Sequence, residues 1–250
     1  MIDSLLPEMI SVIDLILLSV ASFTGSVLTA ALGVGGGSLL IIIMAGLVPP
    51  LALIPLHGLV QMGSNASRAV LTREHLDTSQ ALFFAGGALV ASVMAVALLV
   101  RMDQQWIPVI ISLFILYLCW GKVPQLGLRS PLGLMTGGLL TTLATMLVGA
   151  TGPLVSAWIG RSGLDKWRYT ALFSTCMTTQ HGLKILVFGL AGFSFLPWLT
   201  VLVCMVLAAG VGTKVGLRVL QHVNEDRFKF WFKLVLTGLA FRTLYTSFFS

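Results

Sequence analysis

The stretch that decides the fold runs Gly33-Val34-Gly35-Gly36-Gly37-Ser38-Leu39-Leu40, continues through Gly46-Leu47-Val48, and stops at Pro49-Pro50. From Gly36 to Leu47 it is apolar and helix-compatible, but twelve helical residues cover only about 18 Å, roughly half a bilayer core. A second stretch of this kind lies further on. Gly149-Ala150-Thr151-Gly152-Pro153 precedes a short apolar piece from Pro153 to Gly160, which ends at Arg161-Ser162-Gly163. A shift of 116 residues lays Gly33 on Gly149 and Gly36 on Gly152. The same shift lays Asn65 on His181 and Arg68 on Lys184. Identity between the halves is weak, but the organisation repeats: long helix, glycine-rich break, short helix, polar-striped helix, two more long helices. Interrupted apolar segments at matching places in two halves point to a binding site between them.

The surroundings explain why these short pieces belong in a membrane. Of 250 residues, 57% are hydrophobic and 10% charged, too few charges to cover a soluble domain, where about a quarter is usual. Full-length spans are expected at 10–32, 51–72, 79–101, 106–121, 131–148, 165–188, 196–220 and 228–248. The fold class is therefore an all-α polytopic membrane protein. It has two inverted five-segment repeats, each with a re-entrant half-helix: residues 1–122, a cytoplasmic linker at 123–130, and residues 131–250.

The net charge of +6 comes from Lys and Arg between apolar runs, without the interleaved aromatics of a nucleic-acid surface. If each short segment returns the chain to its starting side, Arg73, Lys122, Arg129, Arg161, Lys166, Arg168, Lys214, Arg218, Arg227 and Lys229 share one face. Arg101 and Arg242 share the other. Ten against two makes the first face cytoplasmic and both termini non-cytoplasmic. Counting the eight long spans alone leaves a much weaker bias. The acidic N-terminus, with Asp3, Glu8 and Asp14, lacks a signal peptide's basic region, so the first apolar run is expected to be retained. Cys119, Cys176 and Cys204 each lie in an apolar run and form no C-x-x-C pair, so neither a metal nor a redox site is expected.

A helix that starts inside the membrane leaves N–H groups unpaired at its first turn and carries partial positive charge there. Glycines admit a ligand close to the backbone. Gly33, Gly35, Gly36 and Gly37 form one candidate anion-binding tip, and Gly149, Thr151, Gly152 and Pro153 the other. The competing reading is tight helix packing, which small residues also serve in membranes. Between the tips run two polar stripes at helical spacing. One carries His57, Gln61, Ser64, Asn65 and Arg68; the other carries Thr170, Ser174, Met177, His181 and Lys184. Arg68 and Lys184 suit an oxyanion, or else snorkel to the interface from near their helix ends. His181 is a candidate for proton coupling or a hydrogen-bonded structural residue. Asn65 and Gln180 are donors to a cavity or ties between helices. Trp158, in the second short helix, either lines the cavity or packs in the core. No span holds an interior Asp or Glu, which fits an anion path and not a carboxylate relay.

The first motif, with its G-x-G-G-G start, short apolar helix and Gly46-Leu47-Val48-Pro49 stop, resembles the TauE/SafE sulfite-exporter family. Gly149-Ala150-Thr151-Gly152-Pro153-Leu154-Val155 looks like that family's second copy, with Ala150 and Thr151 where glycine is common. The resemblance spans almost the whole chain. It implies an inner-membrane transporter of small anions, chiefly sulfite, other sulfur oxyanions or organosulfonates, without a cofactor. The repeat itself leads to the expectation of alternating access by rocking of one half against the other. A proton is the candidate coupling ion. The rivals are a non-transporting membrane subunit and an intramembrane enzyme. The latter would need Ser64 with His57, or Ser162, to act without a G-x-S-x-G elbow, and no H-E-x-x-H is present. Without a Walker motif, ATP use by this chain is not expected.

Overall fold

The computed structural model describes residues 6–33, 35–99, 103–122, 126–160, 163–219 and 225–249. Val34, Arg101, Arg161, Ser162 and the linker positions 123–125, to which the sequence reading assigned roles, lie outside them. The described residues form helices and turns only.

Helix α1 (Val12–Leu32) starts at a capping box. Ser11 accepts from the Asp14 N–H, and the Asp14 carboxylate accepts from the Ser11 N–H. It stops at Gly33, where φ of 87° is open to glycine at little cost. The chain then reverses into α2 (Gly36–Met44), and Pro49-Pro50 launches α3 (Pro50–Leu71). Helices α4 (Thr78–Leu99) and α5 (Ile107–Trp120) complete the first half. The second half repeats the order. Helix α6 (Pro131–Val148) ends at Gly149 with φ of 75°, and α7 (Gly152–Ile159) has proline in its first turn. Helix α8 (Lys166–Leu190) is capped by Asp165, whose carboxylate accepts from the N–H groups of Trp167 and Arg168. Helices α9 (Leu199–Val219) and α10 (Glu225–Phe249) follow.

Four of the eight expected spans are long and apolar enough to cross a membrane on their own account: Val12–Leu32, Thr78–Val96, Pro131–Val148 and Leu196–Arg218. The others differ for physical reasons. Helix α5 has 14 residues, about 21 Å of rise. Helices α3 and α8 carry the polar stripes, and those stripes face the interior: His57, Gln61, Ser64, Asn65 and Arg68 are all buried. The outside is apolar. Leu199, Val203, Leu207 and Val211 form one exposed stripe along α9, and Ile13, Ile16, Leu17 and Val20 stand exposed on α1. A polar interior and an apolar surface suit lipid as the solvent.

The most extensive helix pairs are α4 with α6 and α1 with α9, followed by α3 with α8. Small residues make the first two possible. A methyl at Gly87 would lie 1.8 Å from the Met135 carbonyl oxygen, and one at Gly138 would lie 2.0 Å from that of Phe84. On the other side, methyls at Gly212 and Gly216 would each lie 2.4 Å from the carbonyl oxygens of Phe23 and Val27. These last two contacts advance together along both chains, so α1 and α9 run parallel.

Helices α3 and α8 run antiparallel, since Gly58 meets Lys184 while Arg68 reaches Phe173. Helices α3 and α9 run parallel, with Gly63 against Val206 and Ser67 against Gly210. Helices α5 and α10 are antiparallel: Trp120 Nε1 donates to Thr237 Oγ1 at 2.9 Å, and Trp106, just before α5, meets Phe248. Two bundles result. One contains α1, α2, α3 and α9; the other contains α6, α7, α8 and α4. The α3–α8 seam joins them.

Candidate functional site

The two glycine-rich tips meet at one cavity on the α3–α8 seam. Gly35, Gly37 and Ser38 line it from the first tip, and Ala150, Gly152 and Pro153 from the second. In α2 the hydrogen-bond ladder begins with the Ser38 and Leu39 N–H groups donating to the Gly35 carbonyl. The N–H groups of Gly36 and Gly37 lie ahead of it. In α7 the ladder begins with Leu154 and Val155 donating to Thr151, which leaves the Gly152 N–H ahead of it and Pro153 with none. Both helix N-termini therefore bring partial positive charge toward the same small space.

The walls come from the two striped helices. His57, Gln61 and Asn65 enter from α3, and Phe173, Met177 and His181 from α8. The rings of His57 and His181 lie 5.9 Å apart, edge to face. His57 Nε2 is 2.9 Å from the Gly37 carbonyl oxygen and so carries the proton on that nitrogen. Several buried polar atoms have no protein partner: Ser38 Oγ, Thr151 Oγ1, His181 Nε2 and Arg68 Nε. All belong to residues that are 3% exposed or less, where an unmade hydrogen bond is costly.

Two cations flank the cavity. Lys184 is fully buried and donates to the Gly149 carbonyl at 2.7 Å, with His181 Nδ1 at 3.3 Å. Arg68 is 1% exposed, donates through Nη2 to Asn65 Oδ1, and lies 5.5 Å from the centre of the Phe173 ring. The snorkelling alternative for these two residues is excluded by their burial. Among the described residues no Asp or Glu is buried, so neither cation meets a buried carboxylate. Two uncompensated charges in such a place are expensive to keep.

Of the thirteen residues singled out from sequence, Gly35, Gly37, Gly152, Pro153, Asn65 and His181 line the cavity. Arg68, Lys184, Thr151 and Gly149 stand behind its walls. Gly33 serves the reversal after α1. Gly36 is a packing residue: a methyl there would lie 1.7 Å from the Gly25 carbonyl oxygen and 2.4 Å from Thr29 Oγ1. Gln180 points elsewhere and ties α8 to α6 through Thr141 Oγ1 at 2.7 Å and Thr142 Oγ1 at 2.9 Å. Trp158 is half-buried, donates from Nε1 to the Gly133 carbonyl and packs over Gly137, so it ties α7 to α6 and does not line the cavity. His57, Gln61 and Met177 were visible as stripe members. Ser38, Thr29 and Phe173 were missed as lining residues. Only Ser38 carried a signal, its place directly after the third glycine.

Among the described residues no group of three or more His, Cys, Asp or Glu could hold a metal ion. Searches of curated proteins and of solved structures return no match for the chain. The family described as Sulfite exporter TauE/SafE matches over residues 17–243, from early in α1 to late in α10 and through both tips. The chain belongs to the TauE/SafE family of membrane sulfite exporters.

Proposed function

We propose that this protein carries small sulfur oxyanions or organosulfonates through the inner membrane by alternating access, with the substrate bound in the central cavity between the two tips. The observation that carries this reading is the charge inventory: two buried cations, two helix N-termini and several unpartnered donors surround a space with no buried carboxylate. A bound anion satisfies what the protein leaves unsatisfied. His181, whose Nδ1 faces the Lys184 ammonium, presents Nε2 as a donor. His57 and His181 together are where a coupled proton would reside.

The inverted repeat is supported by the pattern of packing. Exchanging the halves turns the α1–α9 pair into α6–α4 and the α3–α9 pair into α8–α4, and each partner of these exchanges is present. It leaves α3–α8 and α5–α10 as self-paired, and both are antiparallel, as a two-fold axis in the membrane plane requires. Had the short helices not reversed the chain, α3 and α8 would run the same way. With the ten-to-two charge asymmetry, this favours both termini outside, with the first tip entering from outside and the second from the cytoplasm.

The cavity has about 20 Å³ of free space, enough for about one water and not for an oxyanion. This is a closed form, and loading requires the bundles to separate along the α3–α8 seam. The moving bodies are the interleaved bundles, not the sequence halves. A potential negative inside drives an anion outward by about 2.3 kcal/mol per charge per 100 mV.

Flux into proteoliposomes tests the reading, with sulfite, thiosulfate, sulfate and a small sulfonate offered in turn. Gly152→Leu and Arg68→Gln run beside the parent. Saturable flux of one sulfur anion that both variants abolish is the expected result. No flux for any of the four removes the substrate class, and full flux in both variants removes the site.

A further inference from the structure

Arg68 and the cavity do not touch. The guanidinium is buried, yet it is absent from the cavity wall, while Phe173 belongs to both surroundings: its ring lines the cavity and lies 5.5 Å from the Arg68 guanidinium carbon. The ring's outer edge approaches the second tip, since a methyl at Gly152 would meet Phe173 Cζ at 3.6 Å. Tyr169 stacks on Phe173 at 5.8 Å and is itself anchored by donating its hydroxyl to Ser156 Oγ at 2.6 Å. Phe173 therefore fills the seam between the cavity and the end of the bundle where α3 finishes and α8 begins.

At the related position in the repeat, 116 residues earlier, stands His57. A cation of the opposite helix lies near it as well, for Lys184 packs its stem on the neighbouring Gly58 and sets its ammonium beside His181, whose ring meets that of His57 at 5.9 Å. Each end of the cavity thus holds a ring and a buried cation, in two different chemistries. One is polar and hydrogen-bonded to Gly37 and Gly149. The other is apolar and held by a cation–π contact.

Resting on the anion-carrier reading above, we infer that Phe173 is the gate at the Arg68 end of the cavity and that the permeating anion opens it by drawing the Arg68 guanidinium off the ring. A cation over an aromatic face is held more weakly than a guanidinium in a charge-assisted hydrogen bond to an oxyanion. An arriving anion therefore replaces the contact that keeps the ring in place, and the Nε–H, now without a partner, gains one. Neutral solutes offer Arg68 no such exchange and leave the gate shut. Phe173 becomes a selectivity residue for charge without touching charge itself.

The test is accessibility of a reporter inside the cavity. Ser38→Cys, a near-isosteric change on the cavity wall, is made in protein whose Cys119, Cys176 and Cys204 are replaced by alanine. A neutral, membrane-impermeant thiol reagent is applied from the Arg68 side. Slow labelling is expected with Phe173, at least tenfold faster labelling in Phe173→Ala, and labelling no faster than the parent in Phe173→Trp. Equal rates in all three overturn the inference, and so does equal acceleration in Ala and Trp, which marks a loosened fold. In the parent, a small alkanesulfonate, which does not react with maleimides, accelerates labelling by a bulkier neutral impermeant maleimide, and Arg68→Gln abolishes that acceleration. Acceleration that persists in Arg68→Gln refutes the role of the guanidinium. The labelling of Phe173→Ala needs no transported substrate, so the gate and the substrate class fail separately.

Discussion

Gly36 and Gly152 occupy equivalent places in the repeat, yet the structure gives them opposite sensitivity to a single methyl group. In Gly36→Ala the new carbon would lie 1.7 Å from the Gly25 carbonyl oxygen and 2.5 Å from its carbon. Both are backbone atoms of α1, so no side chain can swing aside. Restoring an ordinary contact requires α2 to move away from α1 by about 1.7 Å along that line, given a contact limit of 3.4 Å. Overpacking of this kind costs about 1–3 kcal/mol. For a chain of this length that corresponds to a fall in melting temperature of about 2–12 °C. In Gly152→Ala the nearest atoms are Phe173 Cζ at 3.6 Å and Met177 Cε at 3.9 Å, both ends of side chains. That methyl fits, and it intrudes on the cavity. The assay is thermal unfolding in detergent followed by sulfite flux on the same preparations. Gly36→Ala should melt early. Gly152→Ala should melt with the parent, within about 1 °C, and show a several-fold higher KM. Equal destabilisation by the two changes, or an unshifted Gly36→Ala, would refute the assignment of one glycine to packing and the other to the cavity wall.

Lys184→Met keeps the stem on Gly58 but strands the Gly149 carbonyl. It also removes a charge that is expensive to bury, so the two effects oppose: stability should stay within about 1 kcal/mol of the parent and flux should fall, both read on purified protein. Gln180→Leu removes the two bonds to Thr141 and Thr142, so stability should fall by about 1–3 kcal/mol. Its KM should match the parent's, because Gln180 is absent from the cavity wall; a raised KM in a folded variant would contradict that placement. Arg68→Lys preserves charge but not the planar fork, and about a tenfold rise in KM is expected, with the melting temperature as control. Gly138→Ala drives a methyl to 2.0 Å from the Phe84 carbonyl and should reduce the yield of monodisperse protein while Gly86→Ala, with open space around it, should not.

Much of the helix plan was legible because its punctuation is local. Gly33, Pro49-Pro50, Gly149 and Gly160 end or begin elements through backbone conformation alone, and the short helices fall at Gly36–Met44 and Gly152–Ile159 against expected pieces at 36–47 and 153–160. The stripes were legible because a polar residue every third or fourth position inside an apolar run has one geometrical meaning. What stayed hidden depends on which helix lies opposite which. Gly36 and Gly37 are neighbours in sequence, but one meets the backbone of α1 and the other faces Gln61. Gln180 and His181 are adjacent on α8, and a turn of 100° sends the first to α6 and the second to the cavity. Phe173 looked like any core aromatic, and only its contact with Arg68 across the seam sets it apart.

The interleaving of the bundles bears on how the chain is made. Helix α1 enters the bilayer first, but its most extensive partner is α9, which includes Met205. During synthesis most of the protein must be inserted while Ser22 still lacks the Met205 carbonyl it donates to at 2.7 Å. Helix α4, by contrast, waits only for α6 and α8, both of which precede α9. A nascent chain therefore assembles the second bundle around α4 before it can complete the first, and the N-terminal helix is the last long helix of that bundle to be locked in place. Chains truncated before α9 should hold α1 by α2 and α3 alone, as a degradation-prone segment, and a separately expressed α9–α10 fragment should rescue them in trans.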